Sequence, residues 1–323
     1  MDDNVKVLNN AFLDKIEAGG AEKTAASDAA TDFTRTRMRE EGFLRNILPP
    51  IPITNDKLSK LVHTDAPVVV VEKEPGSPGA VSVPFNTQPI SRYIRQPRYA
   101  VTMQRILTPK FTKDVDELRT YDMDIRQVLS DNAIKDMGAE EDGKFLAACN
   151  AAMSGTTAIG QTGRDTTTNE TGIALWNSNA GAITRSNLAD ARKVMPRTAS
   201  HFTPETALIN NVSVLEIEKW QRDQVGGDLA QDMLVDGFSE RKFNGLKWIV
   251  TIKTDLVAEG TIYFFANPKN LGKFFVLEDT TMYLDRRAYM LEFFAYSFSG
   301  AALGNIAGVT RTDFASTFTA TNN

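Results

Sequence analysis

The chain has 323 residues, 42% of them hydrophobic and 24% charged, with a formal net charge of −5. That length suits one large domain or two smaller ones, and the composition is that of an ordinary folded protein. The acidic balance argues against a dedicated nucleic-acid binder, whose domain is normally strongly basic.

Met1-Asp2-Asp3-Asn4 lacks the basic-then-apolar pattern of a signal peptide. With no long apolar run to span a membrane, the protein is expected inside a cell and off the membrane. Residues 1–46 predict a helical, weakly anchored arm, in which Leu8, Phe12 and Ile16 recur at helical spacing. A polar Ala/Thr/Asp-rich segment follows up to Arg45; the arm buries little and needs a partner surface. Leu48-Pro49-Pro50-Ile51-Pro52 then forces extended chain.

Residues 61–107 predict a long hairpin. Val68 to Val71 is a β-branched run, Pro75-Gly76 suits a type II turn, and Val81, Val83 and Phe85 alternate with smaller residues on the way back. An arm of about 14 residues at roughly 3.3 Å each reaches roughly 45 Å, against a radius of gyration of roughly 20 Å for a compact chain of this size. An isolated hairpin is barely stable in water, so this one should lie on something.

Residues 114–153 predict an unusually long helix. Asp114 is its expected N-cap, with Glu117 three residues on. Leu118, Tyr121, Ile125, Val128 and Leu129 form an apolar stripe that Phe145, Leu146, Cys149 and Met153 continue; Gly138 and Gly143 weaken its middle. Cys149 is the single cysteine, so no internal disulfide can form; it is expected to be a small buried residue. Residues 154–183, rich in Gly, Thr, Ser and Asn, read as a surface loop.

A mixed α/β pattern follows. Thr184 caps a helix to about Val194, Ala207 to Ile209 is a strand, and Val212 to Arg222 is a helix with Leu215 and Trp220. Leu246 to Lys253 and Thr261 to Ala266 are strands, and Asn267-Pro268 starts a short helix. Residues 273–299 read as aromatic-rich strand, Ala307 to Asp313 as a last strand, and 315–323 as a polar tail.

Charge is divided sharply. Between Glu74 and Asp114 there is no acidic residue, while Arg92, Arg95, Arg98, Arg105, Lys110 and Lys113 are all basic. From Asp114 to Asp142 ten carboxylates face only Arg119, Arg126 and Lys135. A reaching basic arm beside an acidic helix can bind copies of itself. The pairing predicted is Arg92, Arg95 and Arg98 with Asp122, Asp131 or Asp136 of a neighbouring helix. Arg105 belongs to the same basic run. Asp285-Arg286-Arg287, on a late strand, is either an intersubunit ion-pair site or exposed strand charge.

Catalytic patterns are missing. His63 and His201 are far from any nucleophile pattern, and no dinucleotide fingerprint, P-loop or zinc-protease motif occurs. Asp114-x-Asp116 and Asp122-x-Asp124 fall on different helix faces, so no metal site is expected. The expectation is no catalytic residue, no cofactor and no enzyme.

The order of parts resembles the major capsid protein of tailed bacteriophages, the Hong Kong 97-type fold, an α+β architecture. The resemblance runs from about residue 20 to 316. Its local support is Ala207-Leu208-Ile209-Asn210-Asn211, Ile262-Tyr263-Phe264-Phe265-Ala266-Asn267-Pro268 and Val309-Thr310-Arg311-Thr312-Asp313-Phe314. It implies an N-terminal arm (1–60), an E-loop hairpin (61–107), a P-domain with the spine helix (108–154 and 268–304), and an A-domain with the C-terminal tail (155–267 and 305–323). It further implies hexamers and pentamers closing into an icosahedral virion shell around double-stranded DNA, assembled in the host bacterial cytoplasm, with each E-loop across a neighbour's P-domain. A portal protein and a separate scaffolding protein are implied partners, and there is room for a cement or decoration protein. Some members crosslink an E-loop lysine to a P-domain asparagine with help from a glutamate. Lys73 matches the lysine, but no glutamate lies beyond Glu292, so Asn305 has none near it in sequence and no crosslinks are expected.

The same fold builds encapsulin compartments, which the sequence separates poorly from phage shells. Two other classes are an enzyme with a pocket in residues 184–270, for which no converging polar groups stand out, and a nucleic-acid-binding module. In the last, Tyr93 and Tyr99 would stack bases between the hairpin arginines.

Overall fold

A computed structural model describes residues 3–18, 42–61, 64–73, 97–119, 125–154, 175–198, 200–218, 220, 242–243 and 245–315, with scattered positions between 20 and 28 and between 82 and 91. Its frame is a mixed α+β arrangement of three sheets around one long helix. The first sheet is built on β12 (Gly272–Arg287) and β13 (Met290–Leu303), antiparallel from Gly272 opposite Leu303 to Arg287 opposite Met290. The aromatic stretch read as one strand region is therefore two strands, turning at Ala288, which takes a left-handed φ of 54°. β1 (Pro50–Pro52) flanks β12, while β5 (Gln104–Leu107) and β6 (Phe111–Asp114) pair with β13. Pro50 and Pro52 blunt the β1 edge, because proline cannot donate to a further strand.

Strand alternation gives this sheet two faces. Met282, Leu284, Leu291, Phe293 and Ala295 face a core completed by Phe12, Leu13 and Ile16 of α1 (Asp3–Ala18), Val115 and Leu118 of α3 (Val115–Arg119), and Ala133 and Met137 of α4 (Ile125–Ser154). The surface that the N-terminal arm needs is thus supplied within the chain. The buried face of α1 is rotated from the stripe read in the sequence: Leu13 joins it and Leu8 is exposed.

The second sheet has the order β7 (Trp176–Asn179), β14 (Val309–Phe314), β11 (Thr261–Phe265), β8 (Thr206–Asn210), β10 (Leu246–Thr251), β9 (Lys242–Phe243). β8 and β11 are buried at every residue, as central strands covered on both faces are. Phe145, Leu146, Cys149 and Met153 of α4 cover one face. The other is covered by α5 (Arg185–Arg192), α6 (Val194–Arg197) and α7 (Asn211–Glu218) through Leu188, Met195, Val214 and Ile217. Local chemistry starts the helices where expected: the Thr184 hydroxyl accepts from Asn187 N, and Asn267 accepts from Lys269 N ahead of Pro268, the first residue of α8 (Pro268–Leu271). Leu215 of α7 is exposed.

Two further readings need correction. The stretch 154–183 is not loop throughout: Trp176–Asn179 is an edge strand, parallel to Arg311–Phe314, while 155–174 lies outside the described residues. The helix read over 114–153 consists of β6's last residue, Asp114, then α3 and α4. Residues 120–124, including Tyr121 and Asp122, lie outside the described residues. Asp114 does cap α3, accepting from Asp116 N at 2.8 Å, whereas Glu117 lies 2.6 Å from Lys113 Nζ. At 30 residues α4 is far longer than the usual helix of about 11–12, and it passes through Gly138 and Gly143 unbroken.

The third sheet is the root of the hairpin: β2 (Ser59–Leu61), β3 (Thr64–Glu72) and β4 (Arg98–Thr102). β3 and β4 pair antiparallel from Val68 opposite Thr102 to Glu72 opposite Arg98. Ile53, Val69, Val71, Val101 and Met103 bury against Phe275, with Tyr99, Leu277, Phe298 and Ala302 half-buried beside them. The hairpin root therefore lies on the face of the first sheet opposite the one that packs on α1 and α4.

Candidate assembly surfaces

Five charged side chains meet where α2 (Phe43–Ile47), α4, β12 and the turn after β10 come together. Arg45 reaches Glu141 with two nitrogens, Nε to Oε2 at 3.0 Å and Nη2 to Oε1 at 3.1 Å, and donates Nη1 to Asp279 Oδ1 at 3.0 Å. The neighbouring Asp142 accepts from Leu44 N at 2.9 Å and Phe43 N at 3.4 Å, and Lys253 Nζ lies 2.6 Å from it. Arg45, Glu141 and Asp142 are all buried. Burial penalises the Arg45 charge, but Glu141 and Asp279 outweigh it and hold the guanidinium above its ordinary value. Burial pushes both the Glu141 and Asp142 carboxyls up, against the pull of Arg45 and of Lys253. Paired and hydrogen-bonded on each side, the cluster is costly to interrupt.

A second tie joins the last turns of α4 to the six-stranded sheet. Arg311 lies over the Trp176 ring at 4.1 Å and the Tyr263 ring at 5.4 Å. Its Nη1 donates to Asn150 Oδ1 at 3.2 Å and its Nε to Asp313 Oδ1 at 2.8 Å. Tyr263 Oη donates to the same Asn150 oxygen at 3.1 Å, and Trp176 Nε1 donates to Asp313 at 2.6 Å. Cys149, one residue earlier, is fully buried, and burial pushes its thiol far up, which makes it unreactive.

Among the described residues the outer face of the first sheet is covered only in part. The hairpin root takes the end bearing Phe275 and Phe298. Beyond it the Tyr283 ring lies 5.0 Å from Phe294, tilted by 34°, and Phe294 lies 6.2 Å from Tyr296, and Leu107 sits opposite Tyr296. Tyr283 and Leu107 are exposed. Such an aromatic face rimmed by charge is the kind of surface that partners use.

Of the residues singled out in the sequence, Arg92, Arg95 and Asp122 lie outside the described residues, as does the side chain of Asp131. Lys73 is half-buried at the hairpin root, its N–H donating to Pro97 O at 2.9 Å. Arg98 pairs with Glu72 of its own hairpin at 3.0 Å, both exposed. Arg105 lies over Phe298 at 5.8 Å. Arg105 and Asp136 line one cleft of about 560 Å³ between β5 and α4, with Glu140 and Lys144. At the β12–β13 turn Arg286 donates to Ala288 O at 2.8 Å, and Arg287 lies 3.5 Å from Glu292, which Lys110 also reaches at 2.5 Å. Asp285 is half-buried opposite Glu292.

His63 lies outside the described residues, and the His201 ring sits 3.1 Å from Pro196 O. Among the described residues no group of His, Cys, Asp and Glu is arranged to hold a metal, and no helix is long and apolar enough to cross a membrane. The buried cluster went unread, although a signal for it existed. Glu141 and Asp142 stand four residues before Phe145 and Leu146, so they share the buried face.

No known family profile and no curated protein matches the sequence. Solved structures do match. A capsid structure of the cyanophage P-SCSP1u aligns with a TM-score of 0.57 at 11% identity, covering 85% of this chain and 89% of that one. The capsid of a native GTA particle gives 0.53 at 13%, covering 84% and 90%. A virus-like particle from Pyrococcus furiosus gives 0.52 at 13%, covering 88% and 98%. This chain has the fold of phage capsid shell proteins.

Proposed function

We propose that the chain is the major shell protein of a tailed-phage capsid of the Hong Kong 97 type. The observation that carries this is a capsid fold in which the root of a basic hairpin is seated on one face of a sheet, with exposed Tyr283 and Leu107 beside it on the same face. One subunit presents both the arm and a surface for an arm. In this reading residues 1–60 form the N-terminal arm and 61–107 the E-loop. Residues 108–154 and 268–304 form the P-domain; 155–267 and 305–323 form the A-domain and tail.

Subunits form hexamers and pentamers around double-stranded DNA, with each E-loop laid across a neighbour. Arg92 and Arg95, with Arg98 once released from Glu72, meet Asp122, Asp131 or Asp136 of that neighbour's spine helix. Lys73, Arg105, Asp285, Arg286 and Arg287 are further contact residues of this interface. A scaffolding protein guides assembly, a portal protein occupies one vertex, and no cofactor or catalysis is involved. Negative-stain electron microscopy of the purified protein, with and without scaffolding partners, tests the reading: rings of five or six or closed uniform shells are expected, and a monomer or dimer under every condition would overturn it.

The match that spans 98% of the Pyrococcus furiosus virus-like particle chain supports a second reading, a shell that encloses protein and not DNA. Nuclease-protected DNA in particles isolated from the native host is expected under the first reading and absent under the second.

A further inference from the structure

We infer that Gly300 of β13 and Gly304, the residue just after that strand, form a seat that sets the direction in which the hairpin leaves the body, and thereby the curvature of the shell. The consequence for curvature rests on the proposed shell function; the seat itself does not. β4 crosses the chain at these two positions. A Cβ on Gly300 would lie 2.5 Å from the carbonyl oxygen of Thr102 and 2.9 Å from Met103 Sδ. One on Gly304 would lie 3.1 Å from Tyr99 Oη and 3.3 Å from its Cζ. Neither glycine has a left-handed φ, so close approach and not backbone conformation is what requires them. Thr102 is the inner end of β4 and Tyr99 is near its outer end, so the two contacts lie at opposite ends of the hairpin's root strand.

This arrangement makes a lever with predictable signs. An added methyl at Gly300 lifts the inner end of β4 and tips the hairpin one way. A methyl at Gly304 presses only on the ring end of Tyr99, near the outer end, and tips the hairpin the other way by less. Restoring an ordinary contact at Gly300 needs a shift of about 0.9 Å; over the roughly 13 Å between the two seats this is a tilt of about 4°, or about 2 Å at a lever of about 30 Å. Beside β4 there is room to move: a cavity of about 340 Å³ is lined by Ala100 and Thr102 on one side and by Glu141, Phe145 and Ala148 of α4 on the other.

The test places spin labels at Ser82→Cys on the hairpin and, in separate samples, at Lys269→Cys or Lys247→Cys on the body. Distances are read by double electron–electron resonance in the unassembled subunit carrying Gly300→Ala, Gly304→Ala, or neither. Gly143→Ala, whose methyl would meet only Leu256 at 3.5 Å, is the control. The expected result is a shift of about 2 Å for Gly300→Ala, a smaller shift of about 0.7 Å in the opposite sense for Gly304→Ala, whose closest contact is 3.1 Å, and none for the control. Unchanged distances, or shifts in the same sense, overturn the seat. Gly304→Ala meets only the end of a tyrosine side chain, so it keeps the test decisive if Gly300→Ala does not fold. Particles of the same variants are then sized by electron microscopy. Diameters displaced in opposite senses support the link to curvature, and wild-type diameters from a tilted hairpin refute it. If the unmodified chain builds no shells, the proposed function fails while the label distances still decide the seat.

Discussion

Replacing Arg45 with alanine removes three charge-assisted hydrogen bonds, two to Glu141 and one to Asp279, and leaves Glu141 buried without its cation. Breaking a buried pair from one side costs about 3–5 kcal/mol, a large fraction of a domain's stability of about 5–15 kcal/mol. The stranded carboxyl has one escape, which is to take up a proton. Burial already raises its folded pKa above the usual value, and removing Arg45 raises it further. A folded pKa above the unfolded one means that stability is fully present below the unfolded pKa and is lost as pH rises through the folded pKa. The destabilisation by Arg45→Ala is therefore largest at neutral pH and shrinks on acidification, by up to about 1.4 kcal/mol per pH unit within that window. Urea unfolding of unassembled subunits, followed by fluorescence of the buried Trp248, measures it between pH 7 and pH 5. Adding Glu141→Gln to Arg45→Ala should remove most of the pH dependence. A cost below about 1 kcal/mol at pH 7 that does not vary with pH would refute a buried, paired Arg45.

Reversing Arg95 and Arg98 to glutamate should leave a folded subunit that does not assemble, read by circular dichroism and electron microscopy; normal shells would remove these residues from the interface. Boiled denaturing gels of assembled particles should show a single band, and a ladder of multimers would establish the covalent crosslinks that the sequence argues against. Asn210→Ala should cost about 2 kcal/mol in urea unfolding, because the buried Asn210 caps α7 through Ser213 N at 2.7 Å and donates to Val257 O at 3.1 Å; a cost under about 0.5 kcal/mol would deny the cap that role.

The parts that could be read from the sequence are those whose cause is local. Val68 to Val71 and the acid-free return strand mark the hairpin root because β-branched runs and alternation are properties of neighbouring residues. Thr184 and Asn267-Pro268 announce their helices within four residues. What escaped is held by distant partners. Trp176–Asn179 has no apolar alternation to reveal it; it is a strand because Arg311–Phe314 offers its edge. Leu13 joins the buried face of α1 because Val115, Met282 and Phe293 lie there, a fact no helical wheel contains. Arg45 reads as the last polar residue of an arm, while its partners stand 96 and 234 positions away.

The same distinction bears on the proposed shell function. The basic hairpin and the acidic helix are legible because they are segregated in sequence. Arg98 pairs with Glu72, but as an exposed pair worth at most about 1 kcal/mol, which a neighbour's carboxylate can displace. The interior cluster is the opposite case. Arg45, Glu141, Asp142, Asp279 and Lys253 satisfy one another inside the subunit, where interruption is expensive. Under the proposed shell function, a body locked by buried charge and a hairpin root holding weak, exchangeable charge suit a subunit that stays folded alone and still binds copies of itself.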